Sequence, residues 1–390
     1  MKHKIPFSRR AHFFTNDEVD AVINVMQKAD SLTQGEYQES FQKKFCNYLS
    51  VDFAYALNNA SSALNLCAQL CQFKANDEVI IPSHTYTASA YPFLKNGAKI
   101  VWSDIDQSTR VVSANTIKKC ITPKTRAIVV VHLYGYCADM PEIMELAKKH
   151  ELLVIEDCAQ AIGSNIDGKM AGTFGDFGVF SFHSHKNIST LGEGGMLTVK
   201  DTHFADIIPM LRHHGHCNFD FDRKHYWLPA MGNLDFPELN GEKIWPNNFC
   251  IGEVECAIGE KLLDRVDLMN NKKRERALRF IDELNCFNEI EFHRVDNVRH
   301  NYHLLVGKVK NNKRDIFIER MSIKGVQCVV QYYPLNRYDF YIKAGYGYSN
   351  CPVADDFYDN MASFPFSDVM DDDSFEEMLE ITKETLSELA

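Results

Sequence analysis

The chain of 390 residues is short of positive charge: 42 Lys and Arg stand against 53 Asp and Glu, a formal net charge of −11. With no basic excess to pair with phosphates, a general nucleic-acid or membrane-surface binder is excluded. Local cations remain available for a single anionic ligand. Long apolar runs are also missing. The longest, such as residues 127–133, fall far short of a bilayer span. The opening MKHKIPFSRRAHFF has no continuous apolar segment, so no secretory signal is expected and the cytoplasm is the expected location. There is no Cys-x-x-Cys pair. The 12 cysteines are scattered through apolar patterns such as LNLCAQLCQF and VECAIG, the distribution of small buried hydrophobes in a reducing compartment. His213, His214 and His216 (RHHGHCNF) have no second ligand cluster at helix or knuckle spacing, so no metal is expected. Internal repeats, low-complexity segments and Gly/Ser linkers are absent as well.

What is present is ordinary globular composition, 45% hydrophobic and 24% charged, enough for one large domain and a smaller one. Residues 15–29 begin with an N-cap and an acidic first turn, then place apolar residues at helical spacing. Residues 37–49 repeat that pattern. Residues 53–57 (FAYAL) predict a strand, broken at 58–62, with a helix predicted from Ala63. A strand, a turn of small polar residues and a helix start make an anion site, because free amides and hydroxyls converge there. A plain N-cap uses the same residues. From Glu78 onward, strands at 79–81, 99–102, 126–133 and 152–156 alternate with helices ending near 93, around 114–120 and over 140–150. The run RAIVVVHL at 126–133 reads as a strand buried on both faces. This alternation predicts an α/β fold whose large domain holds a mostly parallel, doubly wound sheet. Ligands of such sheets sit beyond the carboxyl ends of the strands. That places residues 60–62, Tyr86, residues 132–134, Asp157 and residues 178–195 on one rim.

A helix is predicted at 203–212. Residues 213–249 then lose periodicity and carry Trp227, Pro229, Pro237 and Trp245; a loop of that length is functional or flexible. Residues 251–269 and 272–284 regain helical spacing, with strongly charged outer faces. From 286 the pattern becomes α+β, with strands at 302–310 and 326–332 and helices at 314–324 and 374–389. The expected organisation is a large domain over 1–250, connecting helices over 251–285 and a smaller α+β C-terminal domain over 286–390.

Residues 178–195, GVFSFHSHKNISTLGEGG, begin as an aromatic strand, turn polar through Ser181, His183, His185 and Lys186, and end in glycines before a second strand. Most lysines are solvated surface charges. One held between two strands at the mouth of a cleft can lose its proton and attack a carbonyl carbon. Asp157 ends the apolar strand LLVIE, where a lone carboxylate is costly unless partnered. A helix cap, a salt bridge or a protonated ring nitrogen would serve, and Gln160, one turn on, points to the same space. Lysine, aspartate, the aromatic Tyr86 and an anion cradle at residues 60–62 with Ser181 are together what pyridoxal 5′-phosphate requires.

The chain resembles the DegT/StrS-type nucleotide-sugar aminotransferases, pyridoxal-phosphate enzymes of the aspartate-aminotransferase fold (fold type I). The resemblance covers nearly the whole chain. It is carried by NASSAL, IPSHTYTASA, VWSDID, VIEDCAQAIGS, GTFGDFGVFSFHSHKNISTLGEGG, NNFCIGEVECAIG, QYYPL and CPVADDF. It implies that Lys186 forms the internal aldimine and moves the proton, and that Asp157 pairs with the pyridinium nitrogen. It also implies that Gln160 lies near the ring hydroxyl, that Tyr86 stacks on the ring, and that Ala60, Ser61 and Ser181 hold the phosphate. Asn248 matches an asparagine that reaches the phosphate of the neighbouring subunit, which implies a homodimer with shared active sites. The implied reaction transfers an amino group from L-glutamate to a keto group of a nucleotide-linked deoxysugar, as in lipopolysaccharide O-antigen and other amino-sugar synthesis.

The sequence departs from the family pattern in four places. Ala60-Ser61 replaces the frequent Gly-Thr, keeping an amide and a hydroxyl. Cys250 stands where an arginine is common, and Gln331 where many members have histidine. The 213–249 loop is longer than usual, and its aromatics suit stacking on a base or sugar. Two further enzyme readings share the scaffold. One is a sugar dehydratase with histidine in the lysine's place, for which His185 is the neighbour to weigh. The other is an aminotransferase acting on a cyclitol ketone.

Overall fold

Strand and helix alternate from residue 53 to residue 212, and apolar patterning decides which is which. The computed structural model describes residues 3–7, 10–219, 232–293 and 299–390. Seven strands form the main sheet: β1 Phe53–Leu57, β2 Glu78–Pro82, β3 Lys99–Ser103, β4 Thr125–Val131, β5 Leu153–Asp157, β6 Phe177–Ser181 and β7 Gly195–Val199. Their spatial order is β1-β7-β6-β5-β4-β2-β3. β6, β5, β4, β2 and β3 pair in parallel, while β7 runs antiparallel to both its neighbours, β1 and β6. In β4, Ala127 to Val130 are fully buried, as the β-branched run predicts for a central strand covered on both faces. The predicted doubly wound α/β sheet is therefore present, with one reversed strand.

The helices that matter here are α1 Asn16–Lys28, α2 Glu36–Leu49, α3 Ala60–Leu70, α4 Met140–Lys149, α5 Thr202–Arg212, α6 Glu253–Leu263, α7 Val266–Leu284, α8 Arg314–Ile323 and α9 Asp372–Ser387. Thr15 and Glu18 close a capping box at the start of α1, satisfying two donors that the helix cannot. α2 has no cap of its own. Its first amides are taken by the buried Glu253 carboxylate of α6, which accepts from Gly35 N (2.9 Å) and Tyr37 N (2.8 Å). α3 starts at Ala60, three residues before the predicted start, because Asn59 caps it through Ser62 N (2.8 Å).

Two apolar cores result. The first surrounds the main sheet and takes in Leu335, Tyr341, Cys351, Ala354 and Phe357 from the C-terminal part of the chain. The second joins Ile5, the C-terminal half of α7, α9 and a three-stranded antiparallel sheet, β8 Ile290–Phe292, β9 Leu305–Val309 and β10 Met361–Phe364. The buried face of α7 runs through Val266, Met269, Asn270, Lys273, Ala277, Phe280, Ile281 and Leu284, so this helix passes from one core to the other. The helical stretch from 251 breaks at Asp264 and Arg265 into α6 and α7.

The strand predicted at 326–332 does not form as a ladder. Its backbone is divided between partners: Gln327 N donates to Ile5 O (3.0 Å) and Val329 N to Ser363 O (3.0 Å), leaving isolated bridges. Of the 213–249 segment, residues 220–231, with Trp227 and Pro229, lie outside the described residues. The flanks form two short hairpins, His216–Cys217 with Asn233–Leu234 and Glu238–Leu239 with Glu242–Lys243. Among the described residues, no helix is long and apolar enough to cross a membrane.

Candidate active site

The carboxyl ends of β1, β4, β5 and β6 open on one rim, and β7, being reversed, begins there. Register sets Leu57, Gly195 and Ser181 abreast across three strands. α3 leaves from this edge. Its geometry leaves the amides of Ala60 and Ser61 without intrahelical acceptors, and its dipole favours an anion there. The approach of β7 to this helix start requires glycine. A Cβ on Gly195 would lie 2.5 Å from the carbonyl carbon of Asn59 and 2.7 Å from Ala60 N, closer than backbone can yield.

Asp157 is the last residue of β5 and is only 5% exposed. Ser89 Oγ donates to its Oδ2 (2.7 Å) and Ala159 N to its Oδ1 (3.1 Å). Each carboxylate oxygen retains acceptor capacity, and no cation pairs with the group by direct contact among the described residues. Gln160 has a fixed orientation. Its Oε1 accepts from Tyr134 N (2.7 Å), so its Nε2 is the donor that meets Tyr332 OH (2.9 Å). Tyr134 is held in turn by His84 (2.6 Å) and by the carbonyl of Gln331 (2.9 Å). Tyr86 stands at the rim, 58% exposed, with its ring edge-on to Tyr332 at 6.2 Å.

Lys186 lies in the turn between β6 and β7, where its backbone N donates to His183 O (2.8 Å). Its side chain is half-buried, and Nζ makes no hydrogen bond or ion pair among the described residues. Burial pulls its pKa from the usual lysine value down to about 8, against an opposing pull from the Asp157 charge. The preceding His185 is exposed. The Oδ1 of the following Asn187 lies 2.8 Å from His303 Nδ1, and the backbone carbonyl of His303 accepts from Lys273 Nζ (3.0 Å).

A cavity of about 780 Å³ collects these groups. Ala60, Ser61, Tyr86, Asp157, Gln160, Ser181 and Lys186 all line it. Asn248 does not. It bridges to His213, and its Oδ1 accepts from Cys250 N (3.5 Å), while the adjacent Phe249 reaches the cavity wall. Ser89, Tyr332, His303 and Lys273 also line the cavity, and no role for them is read from the sequence. For Lys273 a signal existed: the helical spacing that buries Met269, Ala277 and Phe280 also turns position 273 inward.

His132, Glu156 and Cys158 bring ligand-type atoms within 4.8 Å of one another. The Glu156 carboxylate is already occupied by the amides of Phe174 (2.7 Å), Gly175 (2.7 Å) and Gly172 (2.9 Å) and by His132 (3.0 Å). Burial pushes the Cys158 thiol well up. The group ties strand ends to the 172–175 turn.

The donor set fits pyridoxal 5′-phosphate on physical grounds. A buried carboxylate without a contacting cation is costly alone, and a protonated ring nitrogen would complete it. Open helix amides beside two serine hydroxyls suit a phosphate, and an amine unpaired among the described residues is available to the aldehyde carbon.

A profile of the DegT/DnrJ/EryC1/StrS aminotransferase family matches residues 14–383. The chain is 31% identical over 355 residues to GDP-perosamine synthase of Escherichia coli O157:H7, covering 90% of this chain and 91% of that protein. It is 31% identical over 379 residues to dTDP-3-amino-3,6-dideoxy-alpha-D-galactopyranose transaminase of Aneurinibacillus thermoaerophilus, covering 96% and 98%. Among solved structures, the aminotransferase from Psychrobacter cryohalolentis superposes with a TM-score of 0.88 at 26% identity, covering 98% of this chain and 99% of that one.

Proposed function

The chain belongs to the DegT/DnrJ/EryC1/StrS aminotransferase family, and from that premise we propose that it moves an amino group from L-glutamate to the keto group of a nucleotide-linked deoxysugar. The setting is the building of an amino sugar for a surface glycan, in the cytoplasm. The fold is that of the fold-type-I transferases and the cofactor is pyridoxal 5′-phosphate. The sugar substrate is supported by relatives named for GDP- and dTDP-linked amino sugars. The observation that carries the reading is Lys186, unpaired among the described residues, in the same cavity as the buried Asp157.

When bound, the cofactor supplies an electron sink for a substrate carbon that loses a proton. The protein's residues do the rest. The Ala60 and Ser61 amides, with the Ser61 and Ser181 hydroxyls, hold the phosphate. Asp157, kept in place by Ser89, would accept from the ring nitrogen and hold its proton on. Gln160 offers donors alone on its cavity side, which suits an anionic ring oxygen. Tyr86 covers the ring and excludes water. Lys186 would anchor the cofactor and would move a proton at the substrate carbon. An amine with a pKa of about 8 can both take and return a proton near neutral pH. Asn248, outside its own cavity, serves the neighbouring subunit of a homodimer.

The test is direct. The purified protein with cofactor shows a visible absorption band that Lys186→Ala abolishes, and a 4-keto sugar nucleotide with L-glutamate yields an amino sugar. No band, or a deoxygenated product in its place, rejects the reading. Run on Lys186→Ala and Asn248→Ala subunits mixed together, the assay recovers up to about a quarter of wild-type turnover, since random pairing leaves one intact site in each mixed dimer. No recovery rejects the shared site.

A further inference from the structure

We propose that Lys273 is the anchor for the α-carboxylate of the amino donor. The inference rests on the transamination reading and deepens it by assigning a donor subsite.

Lys273 is 7% exposed and lines the cavity from the inward face of α7. An ammonium group has three donors. Among the described residues only one is used, toward the backbone carbonyl of His303 at 3.0 Å. Among the described residues, no carboxylate lies within ion-pair distance of it; Asp368 pairs instead with Lys272 at 3.7 Å. The Phe366 ring lies 5.7 Å from the ammonium nitrogen, a contact that tolerates the charge without consuming its donors. Burial lowers the lysine to about 7, with Asp368 pulling the other way. A carboxylate arriving here would restore the full charge and fill the open donors.

Position within the cavity selects the ligand. His303 joins the two lysines: its ring meets Asn187, the residue after Lys186, and its backbone carbonyl meets Lys273. Both lysines line the one cavity and both charges act on His303, so a ligand that reacts at Lys186 can set a charged group against Lys273. In an α-amino acid the carboxylate is bonded to that carbon. In a nucleotide-linked keto sugar the diphosphate is on C1, separated from a C3 or C4 ketone by ring carbons. On this chemistry Lys273 is assigned to the α-carboxylate of the amino acid and not to the diphosphate.

The test uses the cofactor-loaded enzyme and the variants Lys273→Met and Lys273→Arg. Donor affinity is read from the L-glutamate concentration that half-converts the cofactor band. Binding without reaction is read with 2-oxoglutarate, which cannot react with the aldehyde form. Lys273→Met is expected to weaken both by about tenfold or more, the scale of one lost charged hydrogen bond, and Lys273→Arg to recover part of it. The cofactor band and the affinity for a nucleoside diphosphate should stay unchanged. Unchanged 2-oxoglutarate affinity in Lys273→Met, or an equal loss for the nucleoside diphosphate, overturns the assignment. Should Lys273→Met fail to fold, Lys273→Gln, which keeps a donor for His303, carries the same expectation. A wild-type enzyme with no band, or one unreactive to amino acids, overturns the transamination reading and the subsite with it; a normal wild type beside indifferent variants overturns the subsite alone.

Discussion

Lys186 and Asp157 act on each other through the cavity between them. Burial disfavours the ammonium form and the Asp157 charge restores some of it, so the lysine loses its proton near pH 8 and not near the ordinary lysine value of about 10.4. Only the neutral amine attacks a carbonyl carbon. The rate of cofactor capture by the cofactor-free protein should therefore rise with pH and level off above about 8, as followed by absorbance. Asp157→Asn removes the influence that raises the lysine's pKa, so the midpoint should move to lower pH; a midpoint that stays or rises contradicts the coupling. The same substitution leaves the Ser89 hydroxyl with a poorer acceptor. This layer of support was hidden in the sequence, because a serine in TYTASA has no pattern that distinguishes it from turn chemistry. Lys186 and Asp157 were legible for the opposite reason. Each is a charge set against an apolar strand, which is costly unless it has work to do.

At the scale of elements, the phosphate cradle depends on a helix and a strand end meeting without a side chain between them. Gly195→Ala would place a Cβ within 2.7 Å of Ala60 N and 2.5 Å of the Asn59 carbonyl carbon, and neither is a flexible side-chain tip. The expected outcome is about 1–3 kcal/mol of lost stability by thermal melting, together with cofactor affinity weakened by about tenfold or more in a spectroscopic titration. Wild-type affinity in that variant would refute the cradle. The main sheet was legible because near-continuous apolar strands alternate with amphipathic helices. Two elements were not. Residues 326–332 carry strand-like composition but find two different partners, Ile5 and Ser363, which local sequence does not encode. In α7 the abundance of charge masked the inward turn of Lys273, because a lysine on a buried face follows the same spacing as the apolar residues beside it.

For the molecule as a whole, several histidines are folded into the interior as neutral rings. Burial lowers His84 and His293 to about 3, and takes His300 and His303 well below their usual value. In the unfolded chain they would titrate near about 6.5. Below that pH the unfolded state binds more protons than the folded one, so stability is fully present above about 6.5 and falls as the pH drops toward 3. Each ring costs about 2 kcal/mol by pH 5. The melting temperature should decline between pH 7 and pH 5, and His293→Leu should flatten that decline; an acid limb unchanged by His293→Leu would count against it. Asn248 belongs to this scale too. The partner-facing role proposed for it would leave no mark on the chain's own cavity, which Asn248 does not line, and it rests on the resemblance alone. The walls of that cavity come from Phe7 at one extreme and Asp368 at the other. A chain emerging from the ribosome therefore cannot own the pocket until nearly all of it has been made. The cofactor cannot template the first steps of folding, and its binding energy is added only to the completed fold. Loss of the chain from Phe366 onward, which removes the last wall residues, should cost the holoenzyme its colour before it costs the sheet its strands.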